Sequence, residues 1–162
     1  MENIDLQWRY IVTQNDEENV RKIVASSGFF SGEEIAIAVE LVTERLTKGP
    51  ESGYHFIFAE ADGKTVGYAC FGPIPATQTS YDLYWIAVHN DFRSAGIGKK
   101  LLAASEKAIR KLGGKRVYIE TSGRNQYLPT RAFYIACGYT EAAVLTNFYA
   151  PGDAKYIYVK AF

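Results

Sequence analysis

Cysteine is scarce: only Cys70 and Cys137 occur in 162 residues. Two thiols can build neither a disulfide framework nor a four-thiolate metal site. Each sits in an apolar run, where a buried free thiol is expected. Histidine is as rare. His55 and His89 stand at no metal-ligand spacing from each other or from a cysteine, so no metal is expected, and both read as structural or surface histidines. No apolar run reaches the roughly 20 residues that a bilayer span needs. The start, MENIDLQWRY, has neither the basic opening nor the apolar stretch of a signal peptide. Net charge is missing too, since 18 Lys and Arg balance 18 Asp and Glu. A zero total argues against a protein that coats nucleic acid through a general positive field. These absences predict a cytoplasmic, reduced protein without membrane or nucleic-acid partners, folded as a single domain over 1–162.

What is present is ordinary globular composition, 48% hydrophobic and 22% charged. Residues 8–13 read as a strand. Asn15 followed by Asp16-Glu17-Glu18 reads as a helix cap with acids at the positive helix end, and that helix stops near Ser26-Ser27-Gly28. Ser31-Gly-Glu-Glu34 is a capping-box pattern, with Phe30 and Ile35 at hydrophobic-staple spacing. Ile35, Ala38, Val39, Val42 and Leu46 mark one helix face, which Gly49-Pro50 ends. Residues 54–60 and 65–71 around Asp62-Gly63 form a hairpin. Residues 81–88 form a third strand, although Asp82 interrupts its apolar run. Residues 97–112 are a helix with Ile97, Leu101, Leu102, Ala108, Ile109 and Leu112 on one stripe. Residues 116–121 are a strand, 130–136 a short helix, and 139–149 and 155–162 the last strands. The order β α α β β β α β α β β predicts an α/β (α+β) fold, a mixed sheet of about seven strands with helices on both faces.

The informative stretch is 85–102. It runs from a strand through a turn and a glycine-rich loop into a helix, which aims backbone N–H groups at the positive end of a helix dipole and makes an anion site. A Walker loop does not fit, because Arg93 stands at its first glycine and Lys100 replaces the magnesium-binding hydroxyl. A dinucleotide fingerprint does not fit, because Leu101 fills its third glycine. Lys99 and Lys100 oppose the helix dipole with no acid in the first turn to offset them. A bound polyphosphate reverses that sign; two solvated lysines could also simply tolerate it. Charge is uneven along the chain. Residues 1–62 carry 5 basic and 12 acidic side chains, whereas 93–116 carry 8 basic side chains and one acid, Glu106.

Arg93-Ser-Ala-Gly96-Ile-Gly98 resembles the R/Q-x-x-G-x-G/A signature of the GNAT N-acetyltransferase superfamily. It follows a strand ending Ile86-Ala87-Val88 and opens a helix, as in that family. Ala132-Phe133-Tyr134-Ile-Ala-Cys-Gly138-Tyr139 is similar to the family's F-Y-x-x-x-G-F/Y segment, and the element order matches along nearly the whole chain. The resemblance implies a mostly antiparallel GNAT sheet and acetyl-CoA as cosubstrate. It also implies that Arg93, Ser94, Ala95, Gly96, Ile97, Gly98 and Lys99 cradle the pyrophosphate, and that Ile86, Ala87 and Val88 bond the pantetheine through their backbone. The family's usual Asn, seven residues before the Tyr, is Tyr127 here; Asn125 or Arg124 could supply that contact.

The implied reaction is direct transfer of an acetyl group to a primary amine. The amine must be neutral to attack, so a base is useful, and the departing thiolate gains from an acid. Tyr134 is the candidate acid. Asp82 is the candidate base, with Tyr84 or Glu120 as substitutes. Phe29 and Tyr84 are candidates for binding the acceptor, and Tyr81, Tyr84 and Trp85 could form an aromatic acceptor pocket. That density favours a small or amino-acid-like amine, and the acidic first half favours a cationic one. A protein lysine or N-terminal acetyltransferase and a non-catalytic acyl-CoA sensor are the competing readings. The protein is expected as a monomer or homodimer.

Overall fold

A computed structural model gives the fold and describes residues 3–162. Met1 and Glu2, which open the expected domain and the expected leader-free start, lie outside the described residues. The elements are β1 (Gln7–Arg9), α1 (Asp16–Ser26), α2 (Gly32–Lys48), β2 (His55–Ala61), β3 (Lys64–Pro73), β4 (Ser80–Val88), α3 (Ile97–Lys111), β5 (Arg116–Ser122), α4 (Leu128–Ala136), β6 (Thr140–Ala150) and β7 (Asp153–Ala161). Their order is the one the sequence predicts. The strands make one mixed sheet, β1-β2-β3-β4-β5-β7-β6. The β4–β5 pair is parallel, while the β1–β2, β2–β3, β5–β7 and β6–β7 pairs are antiparallel.

The chain clusters into two compact units, Met1–Gly72 with Trp85–Ala108, and Pro73–Tyr84 with Ile109–Phe162. In the first, α1 and α2 bury Val20, Ile23, Val24, Ala38, Val39 and Val42 against Phe56, Phe58, Tyr68 and Cys70 of β2 and β3. Phe30, Ile35 and Trp85 complete this core. Each fully buried aliphatic or aromatic side chain contributes about 1.5–3 kcal/mol, so this cluster holds the helices to the sheet. Gly67 sits where strand and helix approach closely: a Cβ there would lie 3.1 Å from the Ala87 carbonyl oxygen and 3.1 Å from Leu101.

Two local expectations change. The first strand is shorter than predicted, because Tyr10 and Ile11 turn out to solvent. Asn15 makes no side-chain cap and has helical backbone angles. Asp16 takes over instead: its carboxylate accepts from the Thr13 N–H at 2.8 Å and from both terminal nitrogens of Arg9 at 2.8 Å. The Ser31–Glu34 capping box forms as read, with both reciprocal bonds. Leu46 and Leu112 belong to their predicted stripes by spacing but stand 38% and 52% exposed near helix ends.

In the second unit β5 pairs β7 over its whole length, Arg116 with Ala161 through Ser122 with Lys155. Alternation sorts this strand pair into two faces. Val117, Ile119 and Thr121 are buried on one face, beside Tyr158, Tyr134 and Tyr139. Tyr118, Glu120 and Ser122 line the other. Arg131 of α4 is buried, donates to the Ser122 carbonyl at 2.8 Å and lies over the Tyr156 ring.

Candidate active site

The glycine loop belongs to the first unit. A short turn, Asn90–Phe92, leads into it, held to the end of α1 because the Asn90 N–H donates to the Ser26 hydroxyl at 3.0 Å. Ser94 and Gly96 both have positive φ, 69° and 74°, on either side of Ala95. Alternating handedness of this kind turns successive N–H groups to one side as an anion nest. Glycine adopts it freely, whereas a serine there carries strain of about 1 kcal/mol or more, which is characteristic of functional loops. The first turn of α3 contains no acid. A hollow of about 370 Å³ opens here, lined by Arg93, Ser94, Ala95 and Lys100 with Asn3, Ile4 and Leu6. Arg93 also holds its guanidinium 5.8 Å from the ring of Phe29, which is 46% exposed. N–H groups, two cations and an acid-free helix start fit a pyrophosphate.

The second unit carries the candidate acid and base. Asp82 pairs in register with Tyr118, so Asp82, Tyr118 and Glu120 share one sheet face. Burial, and beyond it the negative charge of Glu120, pushes the Asp82 carboxyl up to about 6, with Lys155 pulling the other way. Lys155 reaches Glu120 at 2.8 Å and lies 4.3 Å from the centre of the Phe148 ring. Asp153 accepts from the Ser122 hydroxyl at 2.5 Å and pairs with Arg124 at 3.4 Å. Tyr134 is buried on the opposite face, edge-on to Tyr139 and beside Tyr158. Burial, and then the Cys137 thiol, pushes its phenol pKa well up. The β4–β5 ladder consists of three pairs, ending at Asp82–Tyr118. The backbone of Ile86, Ala87 and Val88 lies beyond it.

A family model, the GNAT acetyltransferase family, matches residues 17–139. The chain belongs to the GNAT acetyltransferases. Membership brings the acyltransferase class and acetyl-CoA as the donor. The fold is close to that of a protein from Desulfovibrio desulfuricans assigned to the same family, with a TM-score of 0.95 and 46% identity over 97% of this chain and 99% of that one. A Sulfurisphaera tokodaii protein named N-alpha-acetyltransferase is 32% identical over 63% of this chain and 66% of its own length. The matched stretch thus spans about two thirds of that relative. An N-acetyltransferase from Thermoplasma acidophilum solved with coenzyme A shares the fold, at TM-score 0.73 and 19% identity.

In this GNAT acetyltransferase the loop residues Arg93–Lys99 and the strand residues Ile86–Val88 lie in the first unit, with Phe29 beside Arg93. Asp82, Tyr84, Tyr134 and Asn125 lie in the second. Asn125 is exposed in a 3-10 turn, Asn125–Tyr127, and Arg124 is engaged with Asp153 and the Tyr127 ring. The expected aromatic pocket of Tyr81, Tyr84 and Trp85 does not form as one cluster. Tyr81 is buried on the face opposite Asp82, and Trp85 packs edge-on to Phe30 in the core. Tyr84 and Trp85 are successive residues of one strand and point to opposite faces, so they cannot line one wall together. The two histidines make local contacts. His55 stacks on Phe71, and burial, then Arg45, holds it below its ordinary pKa. The His89 Nδ1 accepts from the Asp91 N–H in the turn. Sequence reasoning did not single out Lys155, Asp153 or Phe148, because their contacts depend on pairing between strands. Among the described residues no group of three His, Cys, Asp or Glu is placed to hold a metal, and no helix is long and apolar enough to cross a membrane.

Proposed function

We propose that the protein moves the acetyl group of acetyl-CoA to the α-amine of a peptide N-terminus or an amino-acid-like compound. The observation that carries this reading is the placement of Asp82 on one sheet face with Tyr118 and Glu120, where burial and the Glu120 charge raise its carboxyl to about 6. A carboxylate of that basicity is within about two pKa units of an α-ammonium, at 7.7–8.0, but more than four below a lysine ammonium. The relative from Sulfurisphaera tokodaii named N-alpha-acetyltransferase supports the same class. The small-amine alternative loses its main support, because the aromatic residues behind it are split between the core and two sheet faces.

In the proposed mechanism the donor supplies the acetyl group as a thioester. Backbone N–H groups of Arg93–Lys99 hold its pyrophosphate, Asn125 contacts it, and Ile86–Val88 bond its amides as an added strand would. Phe29 and Tyr84 border the acceptor. Asp82 takes a proton from the acceptor ammonium. The freed amine attacks, its C–N bond forming as the C–S bond breaks. Tyr134 meets the developing thiolate with its phenol O–H. Its raised pKa keeps the phenol protonated, so its contribution is a hydrogen bond first and proton delivery second. Asp82 and Tyr134 reach from opposite faces of the sheet, and the short β4–β5 ladder supports chemistry at the level of the sheet itself.

The test is thiol release from acetyl-CoA against a panel of peptides, amino-acid amides, a lysine side-chain mimic and small amines. Turnover should be best with α-amines, and Tyr134→Phe should lose about 100-fold in kcat. Preference for the lysine mimic, or unchanged turnover in Tyr134→Phe, would sink the acceptor class or the acid role respectively. Tight acetyl-CoA binding without turnover of any amine would support a sensor instead.

A further inference from the structure

The proposed acceptor face already contains a cation. Lys155 is only 14% exposed at its side chain, with its ammonium 2.8 Å from the Glu120 carboxylate and 4.3 Å from the Phe148 ring centre. The strand registers put it there. Lys155 opposes Ser122, two residues on from Glu120, and Glu120 is two on from Tyr118, the partner of Asp82. All five therefore share one face. The other charges nearby are accounted for. Asp153 is bound by Arg124 and by the Ser122 hydroxyl. Burial, and then Glu120 and Asp153, pushes the Tyr149 phenol up, so it stays uncharged. Tyr118, Tyr84 and Tyr127 add only phenols. With Lys155 bonded to Glu120 and Arg124 to Asp153, Asp82 is the carboxylate of the cluster with no direct ion pair among the described residues, although the Lys155 charge reaches it.

We infer that Lys155 is a specificity-determining residue: its ammonium occupies Glu120 in place of a second substrate charge, so the site accepts amines carrying one positive charge and rejects diamines. This rests on the proposed role of Asp82 in receiving the acceptor. A peptide N-terminus brings one cation and meets one open carboxylate. A diamine brings two, and its second ammonium meets Lys155. The repulsion acts in a partly buried place where solvent screens it weakly. Removing the lysine would expose Glu120 and convert the face into a match for a dication.

The experiment compares kcat/KM for a dipeptide amide with a single α-amine and for 1,4-diaminobutane in the wild type, Lys155→Met and Lys155→Arg. The wild type should favour the dipeptide amide. Lys155→Met should raise the ratio of diamine to dipeptide by about tenfold or more, mainly through KM, as expected for gaining one partly buried charge pair. Lys155→Arg should keep the wild-type ratio, which a purely structural role for the side chain would not predict. Should Lys155→Met fold poorly, Lys155→Gln carries the same charge change. An unchanged ratio in the neutral variants, or a wild type that already prefers the diamine, overturns the inference. A wild type that acetylates neither amine overturns the proposed function itself.

Discussion

Asp82 is one residue whose chemistry and stability effects point in opposite directions. Its carboxyl sits at about 6 in the folded protein against 3.8 in an unperturbed chain. The folded state therefore binds the proton more tightly than the unfolded one. Its unfavourable ionisation is absent below about pH 4, grows between pH 4 and 6 and persists above. Asp82→Asn should match the wild type in stability near pH 4 and exceed it by about 1 kcal/mol at pH 8, after discounting the shift for partial exposure. Urea denaturation at the two pH values measures this. The same substitution should lower kcat/KM by about 100-fold. In the wild type, kcat/KM should rise with pH through about 6 as Asp82 ionises and fall above about 8, where the α-amine loses the ammonium proton that Asp82 takes. A variant that is both less active and less stable at pH 8 would contradict the burial of this charge.

At the scale of elements, the start of α3 has the charge pattern that the proposed binding of acetyl-CoA requires. Lys99 and Lys100 place two cations at the positive helix end, and no acid in the first turn compensates them. Replacing both with glutamine should stabilise the ligand-free protein slightly, by about 0.3 kcal/mol or more, because an unfavourable dipole interaction is removed. The same change should weaken acetyl-CoA binding and flatten its salt dependence. Thermal melts and calorimetric titration at two salt concentrations test the opposite signs. Binding that is unaffected would mean that the lysines face only solvent. The start of α2 carries the contrasting arrangement. Its capping box and Glu33-Glu34 suit the helix dipole, and that start holds no ligand in the proposed mechanism.

On the scale of the whole molecule, zero net charge conceals one buried ion pair that matters for stability. Asp16 is fully buried and bound by Arg9, which also reaches Glu60 at 2.6 Å and lies over the Phe58 ring. Burial alone would favour the neutral acid, but the bonds from Arg9, Thr13 and Asn19 outweigh it and hold the Asp16 pKa below its usual value. A depressed carboxylate contributes stability that is present above about pH 4 and lost as pH falls through the lowered folded pKa. Arg9→Met leaves the carboxylate buried without its partner and should cost about 3 kcal/mol at pH 7. Acid unfolding should also begin at a higher pH than in the wild type. Circular dichroism across a pH series reads both effects, and a loss below about 1 kcal/mol would show the pair to be peripheral.

The order of elements, the α2 cap, the glycine loop and the family were legible in the sequence by itself. Each depends on local signals: hydrophobic period, a capping box four residues long, and the contiguous run Arg93–Gly98. What only the tertiary structure decided comes from residues distant in the chain. Strand register brings Lys155 to Glu120 across 35 positions and places Asp153 against Ser122. Packing also seats Trp85 against Phe30 in the α1 and α2 core, which takes it out of the aromatic pocket that its nearness to Tyr81 and Tyr84 suggested. Asp16 displaced Asn15 as the residue holding the start of α1 because a guanidinium arrives from β1 and a buried charge requires a partner. Local spacing determines which face a side chain takes. Only pairing between strands determines which charges meet there, and those meetings give the acceptor face its proposed selectivity.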